Sequence, residues 1–139
     1  MGDGILSSVL LDTHVWIWAQ LEPERLGPAT KSLLLKPESQ LHVATISTLE
    51  LARLAKFGHV ELGLPVGKWI ERAIELLGAE SLPLTHDIAV ESYSLPEPFH
   101  RDPADRILVA TARKHALQLV TADERILQYP HVATLEALR

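Results

Sequence analysis

The chain has 139 residues, 47% of them hydrophobic, enough for one domain-sized core. Its 13 basic and 18 acidic side chains leave a net charge of −5, which excludes a protein that coats a phosphate backbone through a broad basic face. With no cysteine, disulfide scaffolds, thiolate zinc sites and cysteine nucleophiles are excluded together, and a cytoplasmic setting is the expectation.

No apolar run approaches the roughly 18 to 20 residues of a membrane span, so no membrane partner is expected. Met1–Ser8 lacks the basic start and long apolar stretch of an export signal, since Asp3 is acidic and Asp12 soon interrupts the run from Val9. Aromatic residues make up 5% of the chain, little material for an extended base-stacking platform. Neither internal repeats nor low-complexity stretches occur.

Ser8-Val-Leu-Leu-Asp12 reads as a buried strand with a polar group at its C-terminal end. Thr13 is the expected N-cap of a helix running from His14 to Gln20, and Trp16 and Trp18, two apart on it, point in different directions. Pro23 and Gly27-Pro28 mark a turn before a second helix, Ala29 to Leu35, closed by Pro37. Gln40 to Ala44 is the next strand. Ser47 then caps a helix ending at Gly58, with Glu50 placed as the second half of a capping box.

After Pro65 and Gly67, Trp69, Ile70, Ala73, Ile74 and Leu77 share one helical face as far as Gly78. Ser81–Leu84 predicts a third strand and His86–Tyr93 a short helix. The prolines of Leu95–Asp102 forbid further helix until Pro103 opens one reaching about Lys114. Leu117–Thr121 is a fourth strand, Asp123–Gln128 a short helix and His131–Thr134 a fifth, edge strand. This alternation predicts a single α/β domain over residues 1–139, with a central, mainly parallel sheet of four to five strands and helices on both faces.

In such sheets ligands gather at the carboxyl ends of the strands. Asp12 follows the first strand, Glu50 lies in the first turn of its helix, Asp102 and Asp105 surround a helix start, and Asp123 follows the fourth strand. Each has a bland reading of its own: Asp12, Asp102 and Asp123 as helix caps, Glu50 as a capping-box partner. Their joint arrival on one rim is what capping alone does not predict. Packed carboxylates repel one another, and a divalent cation with a taste for oxygen ligands, Mg²⁺ or Mn²⁺, removes that cost.

The stretches Val9-Leu-Leu-Asp-Thr-His14, Ile46-Ser-Thr-Leu-Glu-Leu51 with its continuation to Gly58, His100-Arg-Asp-Pro-Ala-Asp-Arg-Ile-Leu-Val-Ala110 and Leu119-Val-Thr-Ala-Asp-Glu-Arg125 resemble the PIN-domain family, and within it the VapC toxins of prokaryotic toxin-antitoxin pairs. Each stretch alone is weak; four in this order and spacing are specific. The resemblance implies a PIN-like fold and a metal-dependent ribonuclease whose acid quartet is Asp12, Glu50, Asp105 and Asp123. Asp12, Asp105 and Asp123 are then expected at Mg²⁺ or Mn²⁺, Glu50 at the attacking water, and Asp102, Thr13 and Thr121 as accessory residues. It further implies a homodimer, a cognate antitoxin protein and an RNA substrate of the transfer or ribosomal class.

The seven histidines are scattered without an H-E-x-x-H pairing, and His14 reads first as a helix-start residue. Arg101 and Arg106, beside the acids, are expected to meet RNA phosphate. A haloacid-dehalogenase-like phosphatase expects a second acid where His14 stands, and a phosphorelay receiver expects a strand-ending Lys that is missing here. The remaining rival is a PIN-like module that binds protein without cutting, against which the intact quartet argues.

Overall fold

The computed structural model describes residues 8–139; the reading of Met1–Ser8 as free of an export signal falls almost wholly outside them. In chain order the described elements are β1 (Ser8–Leu11), α1 (Thr13–Leu21), a 3₁₀ turn (Pro23–Arg25), α2 (Pro28–Leu35), β2 (Gln40–Ala44), α3 (Thr45–Lys56), α4 (Val66–Leu77), β3 (Glu80–Leu82), α5 (His86–Ser92), α6 (Pro103–Lys114), β4 (Gln118–Thr121), α7 (Glu124–Leu127) and β5 (Thr134–Glu136). The strands form one sheet in the order β3-β2-β1-β4-β5. All four pairings are parallel, as helical crossovers between strands require.

Both faces of the sheet are buried, which is why its strands read as apolar runs rather than alternations. Val9 and Leu11 point into one cluster with Trp16, Leu51 and Trp69. Leu10 and Leu119 point into the other, with Leu108, Val109 and Ile126. The tryptophan rings of Trp16 and Trp69 meet at 5.5 Å, joining α1 to α4, while Trp18 stays half-buried with the Arg25 guanidinium 4.3 Å from its ring centre.

The chain steps from β1 outward to β2 and β3 on one side, then returns to add β4 and β5 on the other. The crevice where the order reverses lies between the C-terminal ends of β1 and β4, the place an open parallel sheet offers to ligands.

Several boundaries differ from the sequence expectation. Thr13 is not the cap of α1 but its first residue; Asp12 is the cap, accepting from the Thr13 N–H at 2.7 Å. Likewise α3 begins at Thr45, directly off β2, so Ser47 does not cap it and the Ser47–Glu50 capping box does not form. β3 ends at Leu82 because Pro83 has no N–H for the ladder. β5 lies at Thr134–Glu136 rather than His131–Thr134, fixed by its pairing with Leu119–Thr121 of β4 rather than by its own pattern. Gly78 ends α4 in the left-handed region at φ 64°, as a helix-terminating glycine should.

Candidate active site

Asp12 leaves the end of β1 still bonded to β4, its N–H donating to Val120 O at 2.9 Å. One carboxylate oxygen receives the Thr13 N–H at 2.7 Å and the other the Thr121 hydroxyl at 2.6 Å. Burial pushes its pKa above the ordinary carboxylate value, and the Thr121 hydrogen bond pulls part of the way back. Asp12 therefore caps α1 and at the same time lines the cleft shared with the other acids.

Thr13 carries the next link. Its hydroxyl donates to Glu50 Oε1 at 2.6 Å and shares a second hydrogen bond with Ser47 Oγ at 2.8 Å, tying the start of α1 to α3. Ser47, freed from capping, is fully buried at this junction. Burial lifts the Glu50 pKa, with the Asp12 and Asp102 charges adding to it.

From α6, Asp105 projects into the same crevice. Its carboxyl is pushed up to about 7, first by burial and then by the charges of Asp102, Asp12, Asp123 and Glu50. Asp102 caps α6, accepting the Ala104 N–H at 3.0 Å, and lines the same cleft. Asp123 caps α7 by accepting the Arg125 N–H at 2.8 Å. Burial works to raise its pKa, but the Arg125 hydrogen bonds and charge prevail and hold it below the ordinary value.

The cleft so formed has a volume of about 360 Å³, with Asp12, Glu50, Asp102, Asp105 and Asp123 on its walls. His14, which read first as a helix-start residue, is on its rim together with Trp18 and Arg53. Those three also border a larger groove of about 750 Å³ that runs over Ile17, Leu21, Leu54 and Val60.

Sequence reading missed two residues. Arg125 reaches over the cleft, its guanidinium 3.1 Å from Asp123 Oδ2 and 3.7 Å from Asp105 Oδ2; its place two residues after a helix-capping acid was the available signal. His100, half-buried with its ring nitrogens shielded, brings Nε2 to 3.2 Å from Asp105 Oδ2 without the alignment of a hydrogen bond, and its Nδ1 has no partner among the described residues. Burial lowers its pKa, as does the Arg125 charge.

One expectation is corrected. Arg106 does not reach toward RNA: it is 5% exposed and holds the loop before α6, donating to Ser92 O at 2.8 Å, His100 O at 3.0 Å, Phe99 O at 3.2 Å and Glu97 Oε2 at 2.9 Å. Its position facing back along the helix makes it an internal brace. Arg101 remains exposed.

Among the described residues no three His, Asp or Glu side chains are drawn together closely enough to grip an ion as they stand. The donor chemistry nevertheless fits a hard divalent cation: the acids supply only oxygen, and the proton that Asp105 retains up to about 7 marks negative charge the protein leaves uncompensated.

Residues 9–132 match the PIN domain family. The chain is 38% identical over 126 residues to Ribonuclease VapC22 of Mycobacterium tuberculosis, covering 91% of this chain and 95% of that protein. The fold is similar to that of a toxin-antitoxin complex from Klebsiella pneumoniae, with TM-score 0.65 at 23% identity over 92% of this chain and 96% of the other. It is also similar to VapBC2 of Rickettsia felis bound to a promoter DNA fragment, with TM-score 0.67 at 13% identity over 92% and 97%.

Proposed function

Since the chain belongs to the PIN-domain family, we propose that it is a metal-dependent endoribonuclease, the toxin of a toxin-antitoxin pair acting in the cytoplasm on RNA of the transfer or ribosomal class. The observation that carries this reading is the convergence of Asp12, Glu50, Asp105 and Asp123 on one cleft at the switch point of the sheet.

Asp12 and Asp105 would hold Mg²⁺ or Mn²⁺, with Asp123 beside them. Bound there, the cation supplies an acidified water and neutralises charge developing on the scissile phosphate. Glu50 keeps one carboxylate oxygen fixed by Thr13, leaving the other to orient the attacking water and take its proton. Its raised pKa suits that task. Thr121 and Thr13 keep Asp12 and Glu50 in place without touching the reacting atoms.

The relative's name and the toxin-antitoxin neighbours support a cognate antitoxin as partner. The groove over Ile17, Leu21 and Leu54 opens onto the acids, so an antitoxin segment with an apolar face and a basic end would fill it and reach the cleft. Leu49 on α3, Phe57 at the C-terminal cap of α3 and Val90 on α5 are exposed, apolar surface suited to a second copy of the chain in a homodimer.

The test is cleavage of total cellular RNA by the purified chain with Mg²⁺ or Mn²⁺, against EDTA and against Asp12→Asn and Asp105→Asn of verified fold. Discrete fragments that need both metal and intact acids support the proposal. A folded, metal-supplied chain that cuts nothing returns the choice to a PIN-like binding module.

A further inference from the structure

Beside the acid cleft a second groove, about 660 Å³ in volume, runs along Phe99, His100, Arg125, Gln128, Tyr129 and His131. That is the size of a small-ligand site. It continues directly from the cleft: Arg125 borders both, and His100 stands 3.2 Å from Asp105. Its floor is aromatic, the Phe99 ring lying 4.4 Å from His100 and 4.5 Å from Tyr129 between ring centres, with His131 at 5.3 Å from Tyr129.

The wall is built rather than left to a loose loop. The buried guanidinium of Arg106 gathers the carbonyls of Ser92, Phe99 and His100, and the Tyr129 hydroxyl donates to Pro96 O at 2.6 Å. Two internal hydrogen-bond sources thus hold a largely apolar surface open to solvent at the edge of a charged site, a combination that a stable fold alone does not call for.

Resting on the ribonuclease reading above, we propose that this groove is a nucleobase subsite, taking the base of the nucleotide next to the scissile phosphate in single-stranded RNA. With a phosphate at the acids, the neighbouring base is the part of the same strand that arrives here. Unpaired RNA bases splay out and rest on aromatic side chains and on Arg. Phe99, His131 and Arg125 present those surfaces, and Gln128, whose amide carries both donor and acceptor, stands at the rim to meet a base edge. Two of the chain's seven Phe, Tyr and Trp side chains, Phe99 and Tyr129, stand here together with the rings of His100 and His131.

The test has two arms. Full-length Asp12→Asn protein is irradiated with single-stranded RNA carrying 4-thiouridine, and the linked peptides are mapped; crosslinks on Phe99, Gln128, Tyr129 or His131 are expected. In the active chain, cut sites are sequenced for Gln128→Ala and His131→Ala, both at exposed positions; relaxed base preference at one position beside the cut and about tenfold weaker cleavage there are expected. Crosslinks confined to other surfaces, such as the groove by Leu21 and Leu54, together with unchanged preference, overturn the subsite while leaving the nuclease standing. A wild-type chain that cuts nothing yet crosslinks in the groove overturns the nuclease and keeps the base site. A groove shielded only by a bound protein segment, with no RNA crosslink, overturns the proposal in favour of a peptide site.

Discussion

The Thr121 hydroxyl donates to Asp12 Oδ2 at 2.6 Å while its oxygen accepts the Asp123 N–H at 3.0 Å, so one fully buried side chain at the end of β4 sets the distance between two acids from opposite ends of the chain. Thr121→Val keeps the shape and removes both bonds. We expect a folding cost of about 1 to 2 kcal/mol in urea titration and a cleavage rate reduced about 10- to 100-fold, the usual effect of losing a group that orients a metal ligand. Thr121→Ser should restore most of the rate. A Val variant as fast as wild type would show that Asp12 needs no such partner.

Arg106 should prove a residue of stability first. Replacing it with Met keeps volume and leaves the carbonyls of Ser92, Phe99 and His100 without their donor in a buried setting. A loss of about 2 to 4 kcal/mol in chemical denaturation is expected. If Arg106 instead touched RNA, the variant would keep its stability and show a shallower salt dependence of RNA binding.

The sequence disclosed the sheet, the order of its strands' helices and the acids on its rim because these depend on local pattern: apolar runs buried on both faces, and acids at strand ends and helix starts. It misassigned Ser47 and Arg106 for one shared reason. A Ser three residues before a Glu reads as a capping box, yet α3 starts at Thr45 because β2 feeds straight into it, and Ser47 is then turned toward Thr13 on another helix. An Arg beside two acids reads as a phosphate contact, yet its position in α6 directs it back to the loop it braces. Such roles belong to the packing of elements distant in sequence. Arg125 and His100 stayed hidden likewise, since what singles them out is nearness to Asp105.

Asp105 makes the metal-free protein pH-sensitive. Its pKa is raised from an ordinary 3.8 to about 7, chiefly by burial, so between those values the folded chain holds a proton that the unfolded chain has released. This contribution to stability is complete below about pH 4 and is lost as pH rises through about 7. In EDTA, the melting temperature of Asp105→Asn should therefore gain on that of wild type as pH is raised from about 5 to about 8, while the variant loses cleavage. Adding Mn²⁺ should stabilise wild type at the upper pH and leave the variant little changed. A constant difference between the two proteins across that range would remove Asp105 as the titrating group.

Arg125 competes for the same carboxylates a cation would use. Its side chain is 61% exposed, so the guanidinium is held at 3.1 Å from Asp123 and 3.7 Å from Asp105 by charge and hydrogen bonding rather than by packing. A divalent cation on those oxygens would release the side chain, which borders both the acid cleft and the aromatic groove and would then be available to an RNA phosphate under the proposed function. Two opposite effects follow from one substitution. Arg125→Ala should bind Mn²⁺ about two- to fivefold more tightly, by calorimetry or electron paramagnetic resonance without RNA, the range expected for removing one exposed ion pair. The same variant should raise KM for RNA and weaken its dependence on salt. Arg125→Lys, retaining charge without the planar fork, should fall between in both measurements. Weaker Mn²⁺ binding in the Ala variant would instead make Arg125 a support that keeps Asp123 in position through the cap of α7.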